Sequence, residues 1–281
     1  MKLIANDAPL SGEIKGINLN DKMSLEQRKK IIDFVDKTLV VLIRNQFIDD
    51  HKLKEFSKIF GKLDPPAPNP YGIDFLPKHP EINVISNVKD TKGIPIGNLG
   101  DGEATWHADM TYLEKPPKYG ILYALEVPKD QGNTHFANMY KAYDNLPSKL
   151  KTIIDDKVII HDCSHNSAGL LRKGFNEVKS PKLTPGARHP AVITNPKNNL
   201  KRLFLGRRPY AYILGMPVNE SEKLLDEVWH FATSHEITWI QKWKVGDLLI
   251  WKNLYVLHKR DSFDPSSRRI MHRTQIKGNF I

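Results

Sequence analysis

The sequence of 281 residues predicts a mainly β protein with peripheral helices, of the double-stranded β-helix (jelly-roll, cupin-like) class. From Ile82 onward, most segments with strand character are short and are separated by Gly, Pro and Asn. Few segments repeat apolar residues at helical spacing, and those few cluster together. Many short strands with few helices are typical of sandwiches and jelly rolls with helices packed outside. Because no linker or internal repeat divides the chain, we expect a single domain over residues 1–281.

The N-terminal third is expected to contribute two helices and two strands. Residues 14–19 alternate as a short strand, and Ser24 is the expected N-cap of a helix over 25–38. The apolar run 39–43 has the character of a buried strand, and residues 50–60 form a second amphipathic helix ending at Gly61.

The rest of the chain is expected to be strand-rich. The proline-rich run 64–70 predicts a loop near or over a site, because proline removes backbone donors. Helices are expected over 139–146, running into 149–154, and over 221–233. Strands are expected over 82–88, 120–127, 191–194, 202–205, 247–255 and 269–277.

Composition excludes several classes of protein. The chain carries 42 Lys and Arg against 32 Asp and Glu, a net charge of +10, but these residues are dispersed. We interpret the excess of Lys and Arg as a basic surface that attracts small anions, because no nucleic-acid-binding motif accompanies these residues. No apolar run is long enough to span a membrane, and no signal-peptide core is present. With Cys163 as the single cysteine, we expect a cytoplasmic protein without nucleic-acid or membrane partners.

A metal site is suggested by His107 and Asp109, which lie two residues apart. On an extended segment, such residues project from the same face. His258, at the end of the apolar segment 248–257, is the candidate third ligand. Two histidines and one carboxylate form the facial triad of non-haem iron(II) oxygenases, which leaves positions open for a co-substrate and O₂. Zinc is less consistent with the sequence, since His-Glu-x-x-His is absent. A soft metal site around Cys163, with His161 and His165, is a weaker candidate.

Two arginines near the C-terminus suggest anion binding. On a strand, Arg269, Met271 and Arg273 share one face. Two guanidinium groups inside a barrel would be costly unless each met an anion, and arginine suits carboxylates and sulfonates. The alternative is a surface strand with ordinary salt bridges.

These motifs together resemble the TauD/TfdA family of Fe(II)/2-oxoglutarate-dependent oxygenases. The first is the run from Trp106 to Tyr112, followed by Pro116 and Pro117. Two further blocks match in order, and the resemblance extends over nearly the whole chain. Their residues are Gly132-Asn133-Thr134 with Ala137-Asn138 and Ala142-Tyr143, and Trp251-Lys252-Asn253 with His258 and Arg268 to Arg273.

The resemblance implies a role for each matching residue. His107, Asp109 and His258 would bind iron. Thr134 and Arg269 would hold the distal carboxylate of 2-oxoglutarate. In addition, Arg273 would face the anionic group of the prime substrate. Lys252 departs from the family, which often has Asp at this position.

The implied reaction couples oxidation of 2-oxoglutarate to succinate and CO₂ with hydroxylation of a prime substrate by O₂. Taurine itself does not fit, because Pro66, or a neighbour, and Glu103 stand where the taurine enzyme has its histidine and asparagine. The run 205–213 resembles the aryloxyalkanoate dioxygenase branch, with Tyr112, Tyr210 and Tyr212 as candidate pocket residues.

We therefore expect a small organic anion with an apolar body, either a sulfonate or an aryloxy or alkyl carboxylate. By resemblance we also expect a homo-oligomer, a dimer or a tetramer. Two alternatives remain. One is a nucleic-acid or other demethylase with the same iron chemistry, and the other is a non-catalytic barrel that binds a small acid.

Overall fold

The computed structural model describes residues 1–67, 69, 71–102, 104–196 and 198–280, and they form a mostly β structure with few helices. The helices are α1 (Leu25–Thr38), α2 (Asp50–Ser57), α3 (Met139–Asp144), α4 (Ser148–Ile154) and α5 (Val218–Ala232). The strands are β1 (Lys2–Ala5), β2 (Gly12–Lys15), β3 (Val40–Ile43), β4 (Leu63–Asp64), β5 (Asn83–Ser86), β6 (Asn98–Leu99), β7 (Ala104–His107), β8 (Tyr119–Glu126), β9 (Thr134–Asn138), β10 (Val158–Ile160), β11 (Arg188–Pro190), β12 (Val192–Thr194), β13 (Lys201–Leu203), β14 (Tyr212–Ile213), β15 (Thr238–Gln241), β16 (Leu248–Lys252), β17 (Val256–Arg260) and β18 (Ile270–Ile276).

Two larger sheets organise the described strands. The first has the order β1-β2-β3-β16-β8-β18-β5-β6, with β4 also paired to β18. The second has the order β15-β9-β17-β7. Smaller sheets, β11-β10-β14 and β12-β13, lie outside these two.

The helix predictions in the N-terminal third are confirmed. The Ser24 side chain accepts a hydrogen bond from the Gln27 amide, and the Gln27 side chain accepts one from the Ser24 amide. This reciprocal capping box fixes the start of α1. After α2, a 3₁₀ turn over Lys58–Phe60 ends at Gly61, whose φ of 140° favours glycine.

Several predicted boundaries were wrong. The strand expected over 14–19 is β2, which ends before Gly16, a residue with a φ of 67°. The helix expected over 221–233 begins earlier, after Pro217. The single strand expected over 247–255 is also shorter. β16 ends at Lys252, and a 3₁₀ turn over Asn253–Tyr255 carries the chain into β17 of the second sheet.

Apolar side chains fill three layers around the two sheets. Between the sheets lie Leu42, Phe136, Trp251, Val256 and Met271, all buried. Behind the first sheet, α1 and α2 cover its other face; behind the second, α3, α4 and α5 pack on it. Because Met271 faces the inter-sheet layer, Arg269 and Arg273 on the same side of the chain also point between the sheets.

No helix within the described ranges is both long and apolar enough to cross a membrane.

Candidate metal centre and adjoining pockets

Pairing of two strands brings three candidate ligands together. His107 ends β7 and lies directly opposite His258 of β17, with a ring centroid distance of 4.2 Å. Asp109 follows β7, and its Oδ1 is 3.6 Å from Nε2 of His107 and 3.9 Å from Nε2 of His258. Ligand atoms of the three residues all lie within 4.8 Å of one another. Of the residues that the structure describes, no other His, Cys, Asp or Glu group of three is so placed.

Hydrogen bonding and burial prepare these side chains to bind a cation. Nδ1 of His107 is 2.7 Å from the Thr105 carbonyl, so this nitrogen carries the proton and Nε2 keeps its lone pair. Burial, assisted by His107, lowers the pKa of His258 to about 3, which keeps its imidazole neutral.

Asp109 supplies the negative charge of the group. Burial alone would raise the pKa of this carboxyl, but Arg273 and the two histidines hold it well below its usual range. Oδ2 of Asp109 is buried without a hydrogen-bond partner in the described structure. The lone pair on Nε2 of His107, the neutral imidazole of His258 and an ionised carboxylate with an unpaired oxygen fit a divalent iron ion.

Asn253 fixes the backbone at Asp109. Its Oδ1 accepts from the Asp109 amide at 2.8 Å, and its Nδ2 donates to the Asp109 carbonyl at 2.9 Å. The same Nδ2 donates to the carbonyl of Pro117 at 2.9 Å. Asn253 is fully buried and orients a candidate ligand. In the sequence, Asn253 belongs to the Trp251-Lys252-Asn253 motif, but no role was predicted for it.

A pocket between the sheets, the Arg269 pocket, includes two of the candidate ligands, His107 and His258, in its wall. It is lined by apolar residues such as Phe136 and Trp251 together with Thr134, Arg260 and Arg269. Arg269 is only 2% exposed, and no described carboxylate lies within ion-pair distance of it. Burial, with a smaller effect of Arg260, lowers the pKa of Arg269 to about 9. A buried cation without a partner is energetically costly, and an anionic ligand would compensate its charge.

Thr134 is buried in the same pocket, where its Oγ1 accepts a hydrogen bond from Nε1 of Trp243 at 2.9 Å. The hydroxyl proton of Thr134 is therefore available for a ligand. Arg260 donates instead to the carbonyls of Leu99 and Gly102. Burial lowers the pKa of Arg260 to about 10.

A second pocket, the Tyr112 pocket, lies on the other side of Arg273, which lines both. Nη1 of Arg273 donates to Oδ1 of Asp109 at 2.8 Å. Polar side chains predominate in its wall, namely Asn69, Asn83, Asn98, Thr111, Tyr112, Asp162, Asn166, Ser167, Arg172 and Arg207.

Comparison with known proteins agrees with this geometry. The family model described as "Taurine catabolism dioxygenase TauD, TfdA family" matches residues 6–275. The chain belongs to the TauD/TfdA family.

Relatives in the TauD/TfdA family include enzymes with two kinds of substrate. The chain is 28% identical to the alpha-ketoglutarate-dependent 2,4-dichlorophenoxyacetate dioxygenase of Cupriavidus pinatubonensis, with 97% of each chain covered. It is 25% identical to the alpha-ketoglutarate-dependent sulfate ester dioxygenase of Pseudomonas putida, over 96% of this chain and 87% of that one. The crystal structure of AAD-2 with Mn(II) and N-oxalylglycine superposes with a TM-score of 0.80 and 27% identity, covering 99% and 98% of the two chains.

The residues expected from the TauD/TfdA resemblance fall into distinct places. His107, Asp109, His258, Thr134, Arg269, Arg273 and Tyr112 all line one of the two pockets. Tyr210 lines neither, and its ring stacks on His165 with a centroid distance of 3.8 Å. Tyr212 is buried away from both. Glu103 lies outside the described residues.

Other sequence predictions find different surroundings. Lys252, which departs from the TauD/TfdA pattern, forms an ion pair on the helix side of the sheet. Its Nζ is 3.1 Å from Oδ1 of Asp36. The soft metal site around Cys163 was wrong. Both ring nitrogens of His165 contact carboxylates, Asp162 at 3.1 Å and Glu177 at 3.2 Å.

The proline-rich run contributes to the Tyr112 pocket through Ala67 and Asn69. Pro68 and Pro70 are not among the described residues. Pro66 lines a separate cleft.

Proposed function

We propose that this protein is an Fe(II)/2-oxoglutarate-dependent dioxygenase that hydroxylates a small organic anion, a sulfonate or an aryloxy or alkyl carboxylate. The observation that carries the proposal is the cluster of His107, Asp109 and His258 beside a pocket with the buried cation of Arg269. The proposal includes a double-stranded β-helix fold and a single domain over residues 1–281.

His107, Asp109 and His258 are the proposed iron ligands. Bound iron, 2-oxoglutarate and O₂ supply the oxidising chemistry, in which one oxygen atom enters succinate and the other enters the hydroxylated substrate while CO₂ leaves. Support comes from the lone pair on Nε2 of His107, the neutral imidazole of His258, the ionised carboxylate and the unpaired Oδ2 of Asp109.

Arg269 and Thr134 are the proposed partners of the distal carboxylate of 2-oxoglutarate. A guanidinium can donate two parallel hydrogen bonds to a carboxylate, and the Thr134 hydroxyl can donate one more. The charge of the carboxylate would compensate the desolvated cation of Arg269. Phe136 and Trp251 exclude water from this pocket and strengthen the interaction.

Arg273 is the proposed contact for the anionic group of the prime substrate. Asp109 occupies its Nη1, which orients the guanidinium and leaves its other donors for a ligand. Tyr112 lines the same pocket and would contact the substrate body, as would Glu103 and Tyr210 by resemblance alone. By resemblance we also propose a cytoplasmic homo-oligomer, whose mass light scattering would measure.

The test is succinate release in the presence of Fe(II), ascorbate and 2-oxoglutarate. The substrate panel contains sulfonates, aryloxy acids and a methylated oligonucleotide. We expect an organic anion to stimulate release and the oligonucleotide to have no effect. His107→Ala should abolish release, whereas the control His51→Ala, an exposed residue paired with Glu55, should retain it. Release by His107→Ala at the wild-type rate would contradict the iron assignment.

A further inference from the structure

Arg172 is a cation in the Tyr112 pocket that the proposed roles leave unused. It lies in the segment after β10, where its amide donates to the carbonyl of Ser164 at 2.7 Å. Its guanidinium carbon is 4.4 Å from the ring centroid of Tyr112. Nε of Arg172 is buried without a hydrogen-bond partner, and no carboxylate of the described chain is within ion-pair distance.

The other charged groups of this pocket are matched with one another. Arg273 pairs with Asp109 at 2.8 Å, and Arg207 pairs with Asp162 at 3.2 Å. Arg207 is held further by a hydrogen bond of 2.7 Å to the carbonyl of His165. Among the described residues that line the pocket, Arg172 is therefore the cation without an acidic partner.

A second unsatisfied group lies next to Arg172. The Tyr112 hydroxyl is buried without a hydrogen-bond partner in the described structure. Burial raises the pKa of Tyr112 against the lowering effect of the neighbouring Arg172, so the phenol stays protonated and can donate a hydrogen bond. A guanidinium and a phenol with free donors suit the oxygens of a carboxylate or sulfonate.

We propose that Arg172 and the Tyr112 hydroxyl bind a second acidic group of the prime substrate, which is therefore a small diacid. One acidic group contacts Arg273 beside the metal ligands, and the other, a carboxylate or a sulfonate, contacts Arg172. This inference rests on the proposed function and specifies its substrate class.

The test compares pairs of acids in which one member carries a second acidic group. Suitable pairs are phenoxyacetate with (4-carboxyphenoxy)acetate, and propanesulfonate with 3-sulfopropanoate. Stimulated succinate release gives kcat/KM, and thermal unfolding of the anaerobic Mn(II) and 2-oxoglutarate complex reports binding without turnover. The variants are Arg172→Met, Arg172→Lys and Tyr112→Phe. Lys173→Met is the matched control, because this exposed neighbour loses the same charge and does not line the pocket.

We expect wild type to favour at least one diacid over its monoacid by about tenfold or more in kcat/KM. Arg172→Met should reduce that ratio to near one and leave kcat/KM for the monoacid within about twofold of the wild-type value. We expect Arg172→Lys to restore part of the ratio, Tyr112→Phe to lower it and Lys173→Met to leave it unchanged.

Three results would overturn the diacid assignment. One is an unchanged ratio in Arg172→Met, and another is an equal loss for both acids, which indicates a structural role. The third is that no diacid stimulates succinate release by the wild-type protein, although the protein still converts 2-oxoglutarate to succinate in an Fe(II)-dependent reaction. That last result would leave the proposed dioxygenase function standing, whereas absence of all Fe(II)-dependent succinate formation would contradict both.

Discussion

Replacing Arg269 with methionine should stabilise the ligand-free protein and weaken 2-oxoglutarate binding. The guanidinium is 2% exposed and has no carboxylate partner among the residues described. Burial lowers its pKa from 12.5 to about 9, and a change of that size corresponds to roughly 4–5 kcal/mol against the charged form. Methionine fills similar space without a charge. At about 2 °C per kcal/mol for a chain of this size, we expect Tm to rise by several degrees.

Binding of the co-substrate should change in the opposite direction. Removing one partner of a buried charged pair costs about 2–5 kcal/mol, which is roughly 30- to 5,000-fold in affinity. Chelation of the metal by 2-oxoglutarate would remain, so the loss is partial. We therefore expect Arg269→Met to have a higher Tm than wild type without 2-oxoglutarate and a much smaller increase when it is added.

Thermal unfolding of the anaerobic Mn(II) protein, with and without 2-oxoglutarate, measures both effects. Arg268→Met is the matched control, because the adjacent arginine is exposed and pairs with Glu126 at the surface. The control should follow wild type in both conditions. A lower Tm for ligand-free Arg269→Met, or an undiminished effect of 2-oxoglutarate, would refute the assignment.

Three further substitutions test other parts of the structure. In the folded protein, burial holds the pKa of the His161 imidazole well below 6.5. Below pH 6.5 this imidazole therefore binds a proton in the unfolded chain but not in the folded one, and stability falls. His161→Phe lacks this titration. As the pH falls from 6.5 to 5, its free energy of unfolding should therefore rise by about 2 kcal/mol relative to that of wild type. Asn253→Ala frees the backbone of Asp109 and should weaken Mn(II) binding by about 10- to 100-fold in titrations. Gly120→Ala places a Cβ in steric conflict with the Trp251 ring and should cost about 1–3 kcal/mol in chemical denaturation.

Each of these expectations has a control. His51→Phe, at an exposed position, should show no growing advantage at low pH, and a pH-independent gain in His161→Phe would contradict the titration argument. Lys252→Met should retain wild-type Mn(II) affinity, so an equal loss there would remove the special role of Asn253. For Gly120, the comparison is Gly102→Ala, where a Cβ would meet no atom within 4 Å.

Local features of the fold were predictable from the sequence. The capping box at Ser24, the apolar repeat of α1 and the stop at Gly61 depend on residues within a few positions. The passage of the chain between sheets at Asn253 was missed, because this turn depends on hydrogen bonds to Asp109 and Pro117, which are remote in sequence.

The candidate site shows the same division. Spacing related His107 to Asp109, and strand alternation placed Arg269 and Arg273 on one side of the chain. The approach of His258 required the register of β17 against β7, which no local pattern contains. The place of Arg172 in the Tyr112 pocket was not predicted, since the irregular segment after β10 has no periodicity from which the position of this side chain follows.

The separation of His107 and Asp109 from His258 along the chain has a consequence for folding. Because the three proposed ligands meet only when β7 and β17 pair, a nascent chain has no preformed site for the ion, and we expect metal binding to come late in folding. Thereafter, the energy of coordination opposes separation of those two strands. Starvation for iron should thus expose the polypeptide to proteases, and cellular abundance of the protein should follow metal supply.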